Sequence, residues 1–271
     1  MAAEEILEIH PKNPNIKQIR VTFIGDGYIA SQKQKFIDDA RNVFEAVRNN
    51  EIWNKYKDHW YAMGLWFTSN EEGADHPLKG IYKDTAFGGI CDGADERYAR
   101  IIDRSKAINE FFAIQVPGEE SLNIVILNDT TYGGSAGSWY MTITTHPWTS
   151  EIVIHEVGHN FANLLDEYDF GANGSYAKFY NPINISDTGD PSTVKWKSYI
   201  DKGLVGNPCQ QGADWWTPLC NCKMRTLFTD FCPICKDALM ASFRFSTGIP
   251  PDQEVTGSKP TVIVTLTITK G

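Results

Sequence analysis

The sequence lacks several features that mark common classes of protein. It has no long run of lysines and arginines, and its net charge of -9 gives nucleic acid and anionic membranes no electrostatic attraction. No apolar stretch approaches the roughly 20 residues of a membrane-spanning helix, and no internal repeat is visible. We therefore expect no nucleic-acid partner and no membrane insertion.

The opening segment, MAAEEILEIHPKNP, has neither the basic start nor the apolar centre of a signal peptide. Either the chain acts in the cytosol, or a signal has been removed and replaced by a starting methionine. What is present is material for a sizeable core, because 42% of the 271 residues are hydrophobic and 12% are aromatic.

The spacing of apolar residues predicts strands and helices in alternation, followed by a long irregular segment over 171–208 rich in Gly, Asn, Pro and Ser. The tail 259–271 alternates like a strand. The predicted elements are a strand in 16–28, a helix in 31–53, a strand in 59–69, a helix in 96–114, a strand in 121–129, an exposed edge strand within 130–146, a helix from Ser150 and a last helix in 233–245.

The clearest chemical motif is HEVGH, from His155 to His159. Histidines four apart share one face of a helix, so they can present two imidazoles to one Zn²⁺, and Glu156 can reach a metal-bound water. Such a site hydrolyses peptide bonds. Because the motif also occurs in inert helices, a pair of exposed or core histidines is the alternative. The apolar residues around His155 favour a buried active-site helix.

A catalytic zinc needs a third protein ligand. Asp166 comes seven residues after His159, and an unbroken helix would place it about 10 Å further along the axis, too far to share the ion. We therefore predict that the helix breaks at Asn163, a residue type that tolerates the left-handed conformation, and that Asp166 folds back. Glu167 and Asp169 are competing ligands, and Asp166 as a simple helix cap is the alternative.

These residues resemble the metzincin zinc peptidases, whose motif is HExxHxxGxxH or HExxHxxGxxD followed by a methionine-containing turn. The chain departs from that motif, because Ala162 stands at the glycine position. After a one-residue insertion, Asn163 and Asp166 keep the spacing between the glycine and the third ligand. A closer resemblance is to the IgA-protease metallopeptidase family, the igalysins. The segments that carry it, in order, are TFIGDGY, VILND, YGGSAG, HEVGHNFANLLDEYDF, NPINIS, VKWK, CKMR and FCPIC.

The resemblance implies an α+β fold, namely a metzincin-like zincin catalytic domain spanning 1–271. Its upper subdomain, about 15–163, would contain a twisted mixed sheet and long helices, with the active-site helix along the cleft floor. Its irregular lower subdomain, about 164–250, would end in a helix, and 251–271 would form a strand or linker.

The resemblance also implies a zinc-dependent endopeptidase that cleaves protein substrates. His155, His159 and Asp166 would hold the zinc, and Glu156 would act as general base and acid. Met224 would pack beneath the metal without binding it, with an ordinary core methionine as the alternative.

In such peptidases the strand before the active-site helix binds extended substrate, which makes 134–143 the expected upper rim of the cleft. The candidate substrate-binding residues are Gly134, Ser138, Trp139 and Tyr140, although Trp139 and Tyr140 could instead belong to the core. Candidates for stabilising the oxyanion include Tyr176 and Tyr180.

Five of the six cysteines lie close together in the sequence. Cys220, Cys222, Cys232 and Cys235 have a spacing that could hold a second, structural zinc. The alternative is disulfides, including Cys209, in an oxidising compartment. The family that the chain resembles is mostly extracellular or periplasmic, which favours disulfides and a secreted, periplasmic or cell-surface location. We interpret the remaining cysteine, Cys91, as a buried free thiol.

Two other functions remain open. A catalytically inactive peptidase fold could bind polypeptide or glycan through exposed aromatic residues, for which Trp196, Trp215 and Trp216 are candidates. A gluzincin would take its third ligand from a glutamate on a later helix. We expect a monomer, and immunoglobulin A as a substrate would rest on analogy alone.

Overall fold

A computed structural model describes residues 3–92, 98–168, 181–211 and 214–251, and its largest element is a six-stranded mixed sheet. The strands are β1 (Glu5–His10), β2 (Ile19–Asp26), β3 (Trp60–Trp66), β4 (Gly89–Ile90), β5 (Arg100–Ile101), β6 (Ser121–Leu127), β7 (Gly134–Ala136), β8 (Met141–Thr144), β9 (Cys209–Gln211) and β10 (Trp215–Thr217). The helices are α1 (Lys33–Arg48), α2 (Arg104–Ala113), α3 (Thr149–Ala162), α4 (Lys197–Asp201) and α5 (Pro233–Thr247). Short 3-10 helices cover Ala30–Gln32, Asn54–His59 and Pro77–Lys79.

The strands of the large sheet lie in the order β1-β3-β2-β6-β8-β7. The four inner strands run parallel, whereas β1 pairs antiparallel with β3 and β7 pairs antiparallel with β8. Every residue of β2 is buried, which is the pattern expected of a parallel strand covered on both faces. The edge strand β7 therefore lies beside β8, the strand that precedes α3.

The two faces of the sheet form separate hydrophobic clusters. One face packs against α1 and α3, where Phe36 and Phe44 of α1 are fully buried. The other face is covered by α2 and the short β4–β5 ladder, with Phe67 against Phe87 in its core. Because α3 lies on the first face, its motif histidines are held against the main core.

The chain after α3 contributes few regular elements before α5. α5 begins with Pro233, whose fixed φ suits a first helical position, and ends at Gly248, which adopts the left-handed conformation. Phe243 of α5 stacks on Trp53 with ring centroids 5.8 Å apart, and Phe161 of α3 meets the same indole edge-on at 6.1 Å. This aromatic cluster attaches α5 to α3 and to the sheet.

Several predicted elements differ from the structure. β1 lies in a segment for which no element was predicted, and β5 occupies part of the predicted helix 96–114, so that α2 begins only at Arg104. The edge strand is limited to β7, because Met141–Thr144 forms the interior strand β8. The predicted strand in the tail lies outside the described residues.

Across the described part of the chain, no helix combines the length and the apolar character needed to cross a bilayer.

Candidate metal centre

The candidate metal centre is built on α3, whose residues from Ile152 to Gly158 are all buried. The helix ends at Asn163, which has φ 52° and ψ 35°, the left-handed conformation predicted for this position. The backbone N–H groups of Asn163 and Leu164 donate to the carbonyls of His159 and Gly158, at 3.0 and 3.1 Å. The chain therefore turns sharply just before Asp166.

This turn brings Asp166 back to the two motif histidines. Its Oδ1 lies 3.0 Å from Nε2 of His155 and 3.2 Å from Nε2 of His159, and the two Nε2 atoms are 3.2 Å apart. Three potential ligand atoms therefore form a nearly equilateral triangle.

The second ring nitrogen of each histidine shows which nitrogen carries the proton. Nδ1 of His155 contacts the carbonyl of Lys223 at 2.9 Å, and Nδ1 of His159 contacts the carbonyl of Leu164 at 2.7 Å. A carbonyl oxygen only accepts hydrogen bonds, so Nδ1 must be the protonated nitrogen of each ring. Nε2 is therefore the nitrogen of each ring that faces Asp166, and both Nε2 atoms point at its Oδ1.

This arrangement fits a zinc ion. Ligand bonds of about 2.0–2.1 Å in a tetrahedron place neighbouring ligand atoms about 3.3 Å apart, close to the spacing seen here. A cation at the centre of the triangle would contact all three atoms at once. In metal-binding histidines, the ring nitrogen that does not face the metal typically donates a hydrogen bond to a carbonyl, as Nδ1 does here.

Without a metal, the three groups perturb one another's ionisation. Burial disfavours the charged form of His159, but the Asp166 carboxylate beside it prevails and raises the pKa of His159 to about 9. Burial likewise disfavours the charged form of Asp166, but the hydrogen-bonding and charge of His155 and His159 lower its pKa. The site is therefore suited to holding positive charge.

Glu156 lies beside this triangle on α3 and is buried. Burial raises its pKa, and the neighbouring histidines oppose that shift. A Cβ placed on Gly134 of β7 would lie 2.8 Å from Oε1 of Glu156 and 2.5 Å from Ile152, so only glycine allows this close approach. The edge strand and the candidate general base are thus in contact.

Met224 lies against α3 at Gly158. It is completely buried, and a Cβ on Gly158 would lie 2.5 Å from its sulfur. Its carbonyl accepts a hydrogen bond from the N–H of Glu167 at 2.8 Å. Met224 therefore packs against α3 through a close approach that Gly158 permits.

Residues 7–213 match the family model described as IgA Peptidase M64. The chain belongs to the IgA peptidase M64 family. The resemblance found in the sequence is thereby confirmed, and the matched residues include His155, Glu156, His159 and Asp166. No curated protein matches the chain.

The predicted substrate-binding residues of this M64 family member fall into two groups. Gly134 lies on the edge strand β7, and Ser138 and Trp139 lie in the following turn, with 56% of Trp139 exposed. Ser138 and Trp139 line a pocket together with Asn160 of α3, whose side-chain amide donates to the carbonyl of Gly137 at 2.7 Å. Tyr140 is buried against the sheet, so the alternative assignment to the core applies to it.

Among the clustered cysteines of this M64 member, the favoured disulfide alternative is confirmed only for Cys209 and Cys220. Cys209 and Cys220 form a disulfide, whereas Cys222, Cys232 and Cys235 are buried free thiols. The predicted grouping of Cys220 with these three is therefore wrong, because the disulfide removes Cys220 from it.

Glu167 takes the place of Cys220 beside the three thiols, rather than the place of a ligand beside the histidines. This position of Glu167 was not predicted from the sequence, where Glu167 was a competing ligand for the histidine site. Cys91 is a buried free thiol, as predicted.

The remaining candidates have mixed outcomes. Trp196 is completely buried, so it is not the exposed aromatic contact proposed for a binding module, and Trp215 and Trp216 are half-buried. Tyr168, which was not a candidate from the sequence, has its ring stacked on that of His155, with centroids 6.3 Å apart. Asp169, Tyr176 and Tyr180 lie outside the described residues.

Proposed function

We propose that this M64 family member is a zinc-dependent endopeptidase that hydrolyses peptide bonds in protein substrates. His155, His159 and Asp166 hold the metal, and Glu156 is the general base and acid. The observation that carries this proposal is the triangle of three potential ligand atoms, each 3.0–3.2 Å from the next, beside the buried Glu156.

Zinc bound by three protein ligands supplies an activated water and polarises the scissile carbonyl. Glu156 removes a proton from the attacking water and later delivers it to the leaving amine. Its burial supports this role, because a raised pKa brings a carboxylate closer to the working pH of a proton-transfer group.

Substrate is proposed to bind as an added strand along β7. β7 is the last strand of the large sheet in the described part of the chain, so one of its edges is open to backbone hydrogen bonds. The contact between Gly134 and Glu156 would align an extended polypeptide with the general base. Ser138 and Trp139 would contribute side-chain contacts in the adjoining turn, whereas the buried Tyr140 has no such role.

We further propose the metzincin-like division into an upper subdomain, about 15–163, and a lower subdomain, about 164–250, with Met224 in the Met-turn. A monomer that is secreted, periplasmic or cell-surface remains our proposal. The Cys209–Cys220 disulfide supports the proposed location, because disulfides persist in oxidising compartments.

The decisive experiment is the Glu156→Gln substitution, which removes the base but none of the metal ligands. We expect zinc content to remain unchanged, while cleavage of unfolded protein substrates falls by at least about 10²-fold. Glu8→Gln, on the exposed side of β1, is the control for loss of one carboxylate.

Retained cleavage in Glu156→Gln would refute the mechanism. Zinc-loaded wild-type protein that leaves many polypeptides intact after long incubation would instead favour a non-catalytic binding module.

A further inference from the structure

A second group of potential metal ligands is present besides the candidate metal centre. It comprises the carboxylate of Glu167 and the thiols of Cys222, Cys232 and Cys235, whose ligand atoms all lie within 4.8 Å of one another. None of these four residues is more than 2% exposed. The group shares no residue with His155, His159 and Asp166, so it would be a separate site.

The spacing within this group is that of ligands around one ion. The sulfurs of Cys222 and Cys235 are 3.8 Å apart, and the sulfur of Cys235 is 3.8 Å from Oε1 of Glu167. Zinc–sulfur bonds of about 2.3 Å in a tetrahedron place two sulfurs about 3.8 Å apart, whereas a disulfide holds them at about 2.05 Å. The three thiols also form an odd set, which disulfides among themselves would not fully pair.

The polar surroundings of the group favour a bound cation. Oε1 of Glu167 accepts a hydrogen bond from the side-chain amide of Asn184 at 3.0 Å, while Oε2 is buried and has no partner among the described residues. A carboxylate removed from water in this way is costly unless a positive charge accompanies it. The N–H of Cys232 lies 3.3 Å from the sulfur of Cys222, as expected for a donor to a thiolate.

The group is connected to the catalytic residues through the backbone. Glu167 directly follows Asp166, and its N–H donates to the carbonyl of Met224 at 2.8 Å. Cys222 lies two residues before Met224 and begins the turn that also contains Lys223, whose carbonyl holds the ring of His155. An ion at this position would join the segment of the third ligand to the turn beneath α3.

We propose that Glu167, Cys222, Cys232 and Cys235 bind a second zinc ion with a structural role. Four protein ligands form a closed site with no position for substrate, and three thiolates favour zinc over calcium or magnesium. On binding, the protons still held by the three thiols and by Glu167 are released to solvent, and no electron transfer is involved. The ion holds Asp166 and Met224 in place, so it is a positioning site and not a catalytic one.

The test uses the full chain and counts both metals and thiols. We expect two zinc ions per chain by elemental mass spectrometry. After chelation and denaturation we expect four free thiols, from Cys91, Cys222, Cys232 and Cys235. Chain loaded with cobalt(II) should show a thiolate-to-cobalt charge-transfer band, which a site of two histidines and a carboxylate does not produce.

Two variants assign the ions to their sites. Cys232→Ser should lose one zinc and weaken the cobalt band, whereas His155→Ala should lose one zinc and leave the band intact. Cys91→Ser, which removes a buried thiol from the other face of the sheet, should keep both ions. If Cys232→Ser does not fold, thiol labelling of the native wild-type chain tests the site instead. Cys222, Cys232 and Cys235 should resist labelling while zinc is bound and become reactive after a chelator removes it.

A wild-type chain that never binds more than one zinc and shows no charge-transfer band would overturn this inference. So would a denatured chain with only two free thiols, because that count would indicate a disulfide within the group. The inference does not depend on the proposed peptidase activity: loss of zinc in His155→Ala without any effect on cleavage would contradict that activity and leave this site unaffected.

Discussion

Asp166 and Glu167 are adjacent carboxylates that belong to two different clusters. Asp166 lies within 3.2 Å of both motif histidines, and Glu167 lies 3.8 Å from the Cys235 sulfur. A one-residue shift of the chain here would bring Glu167 to the histidine site in place of Asp166, and the thiol site would lose its carboxylate. The position at which α3 ends therefore decides which carboxylate can serve as the third ligand.

Gly134 provides a test of the contact between the edge strand and the general base. In Gly134→Ala the new Cβ would approach Oε1 of Glu156 to 2.8 Å and Ile152 to 2.5 Å, displacing one or both. We expect kcat/KM on a peptide substrate to fall by about 10²-fold, the effect of a misplacement near 1 Å, with zinc content unchanged.

Gly137→Ala is the matched control, because its Cβ would make only an ordinary 3.6 Å contact with the carbonyl of Tyr140. Equal activity in the two variants would show that the β7 contact does not position Glu156.

The His159–Asp166 pair predicts how the stability of the metal-free chain depends on pH. The pKa of His159 is raised from 6.5 to about 9, because Asp166 outweighs the effect of burial. This contribution is fully present below pH 6.5 and is lost as the pH rises through about 9, by at most about 3 kcal/mol. The pKa of Asp166 is lowered, so its contribution is instead lost in acid.

The measurement is the free energy of unfolding of chelator-treated chain by denaturant titration between pH 6 and pH 10. Asp166→Asn is the control, because it removes the partner responsible for the raised pKa of His159. An identical pH dependence in that variant would contradict the assignment.

At the level of elements, the end of α3 at Asn163 allows Asp166 to reach the two histidines. Asn163 adopts a left-handed conformation that most side chains avoid and that glycine adopts freely. We expect Asn163→Ala to lower the free energy of unfolding by about 1 kcal/mol and to weaken zinc binding, because Asp166 follows the turn.

Asn163→Gly should retain near-wild-type zinc affinity. This control separates the effect of the backbone conformation from the effect of losing the Asn side chain. Both quantities can be measured by denaturant unfolding and by competition with a zinc chelator. If Asn163→Ala binds zinc as tightly as Asn163→Gly, the conformation of the turn does not control the position of Asp166.

The packing of α3 on the turn at Met224 is open to a double-mutant cycle. Alanine is favoured over glycine by about 1 kcal/mol within a helix, but at Gly158 its Cβ would lie 2.5 Å from the Met224 sulfur. We expect Gly158→Ala to be destabilising by about 1–3 kcal/mol because of overpacking.

Met224→Ala is destabilising by itself, since it empties a fully buried position. The double variant should be less destabilised than the sum of the single variants, by denaturant unfolding. Strict additivity would mean that the two residues do not share this contact.

For the whole molecule, the single disulfide in the described chain joins residues 11 apart, Cys209 and Cys220, in the irregular part of the structure. Closing a loop of this size stabilises the folded chain by about 2–3 kcal/mol relative to the unfolded one. Cys209→Ser should therefore lower the free energy of unfolding by that amount while metal content stays constant.

Cys220→Ser and the double variant should have the same effect as Cys209→Ser, because each breaks the same bond. Larger destabilisation in the double variant would show that the sulfurs contribute independently of their bond.

Much of the fold and the metal site could be predicted from local sequence. The buried strands and α1 follow from apolar periodicity, and the pairing of His155 with His159 follows from helical spacing alone. β1 could not be predicted in this way, because a short antiparallel edge strand exists only through its pairing with β3. The Cys209–Cys220 bond and the burial of Trp196 likewise depend on contacts between distant segments.

The sequence by itself determined the chemistry of the candidate centre, because His155, Glu156 and His159 lie within one helical turn, and helix geometry is local. It also indicated the break at Asn163, through a residue type that tolerates the left-handed conformation. Only the tertiary structure decided that Asp166 meets the histidines while Glu167 meets the thiols of Cys222, Cys232 and Cys235. Neighbouring carboxylates have the same chemistry, and the packing of α3 against the turn at Met224 distinguishes them.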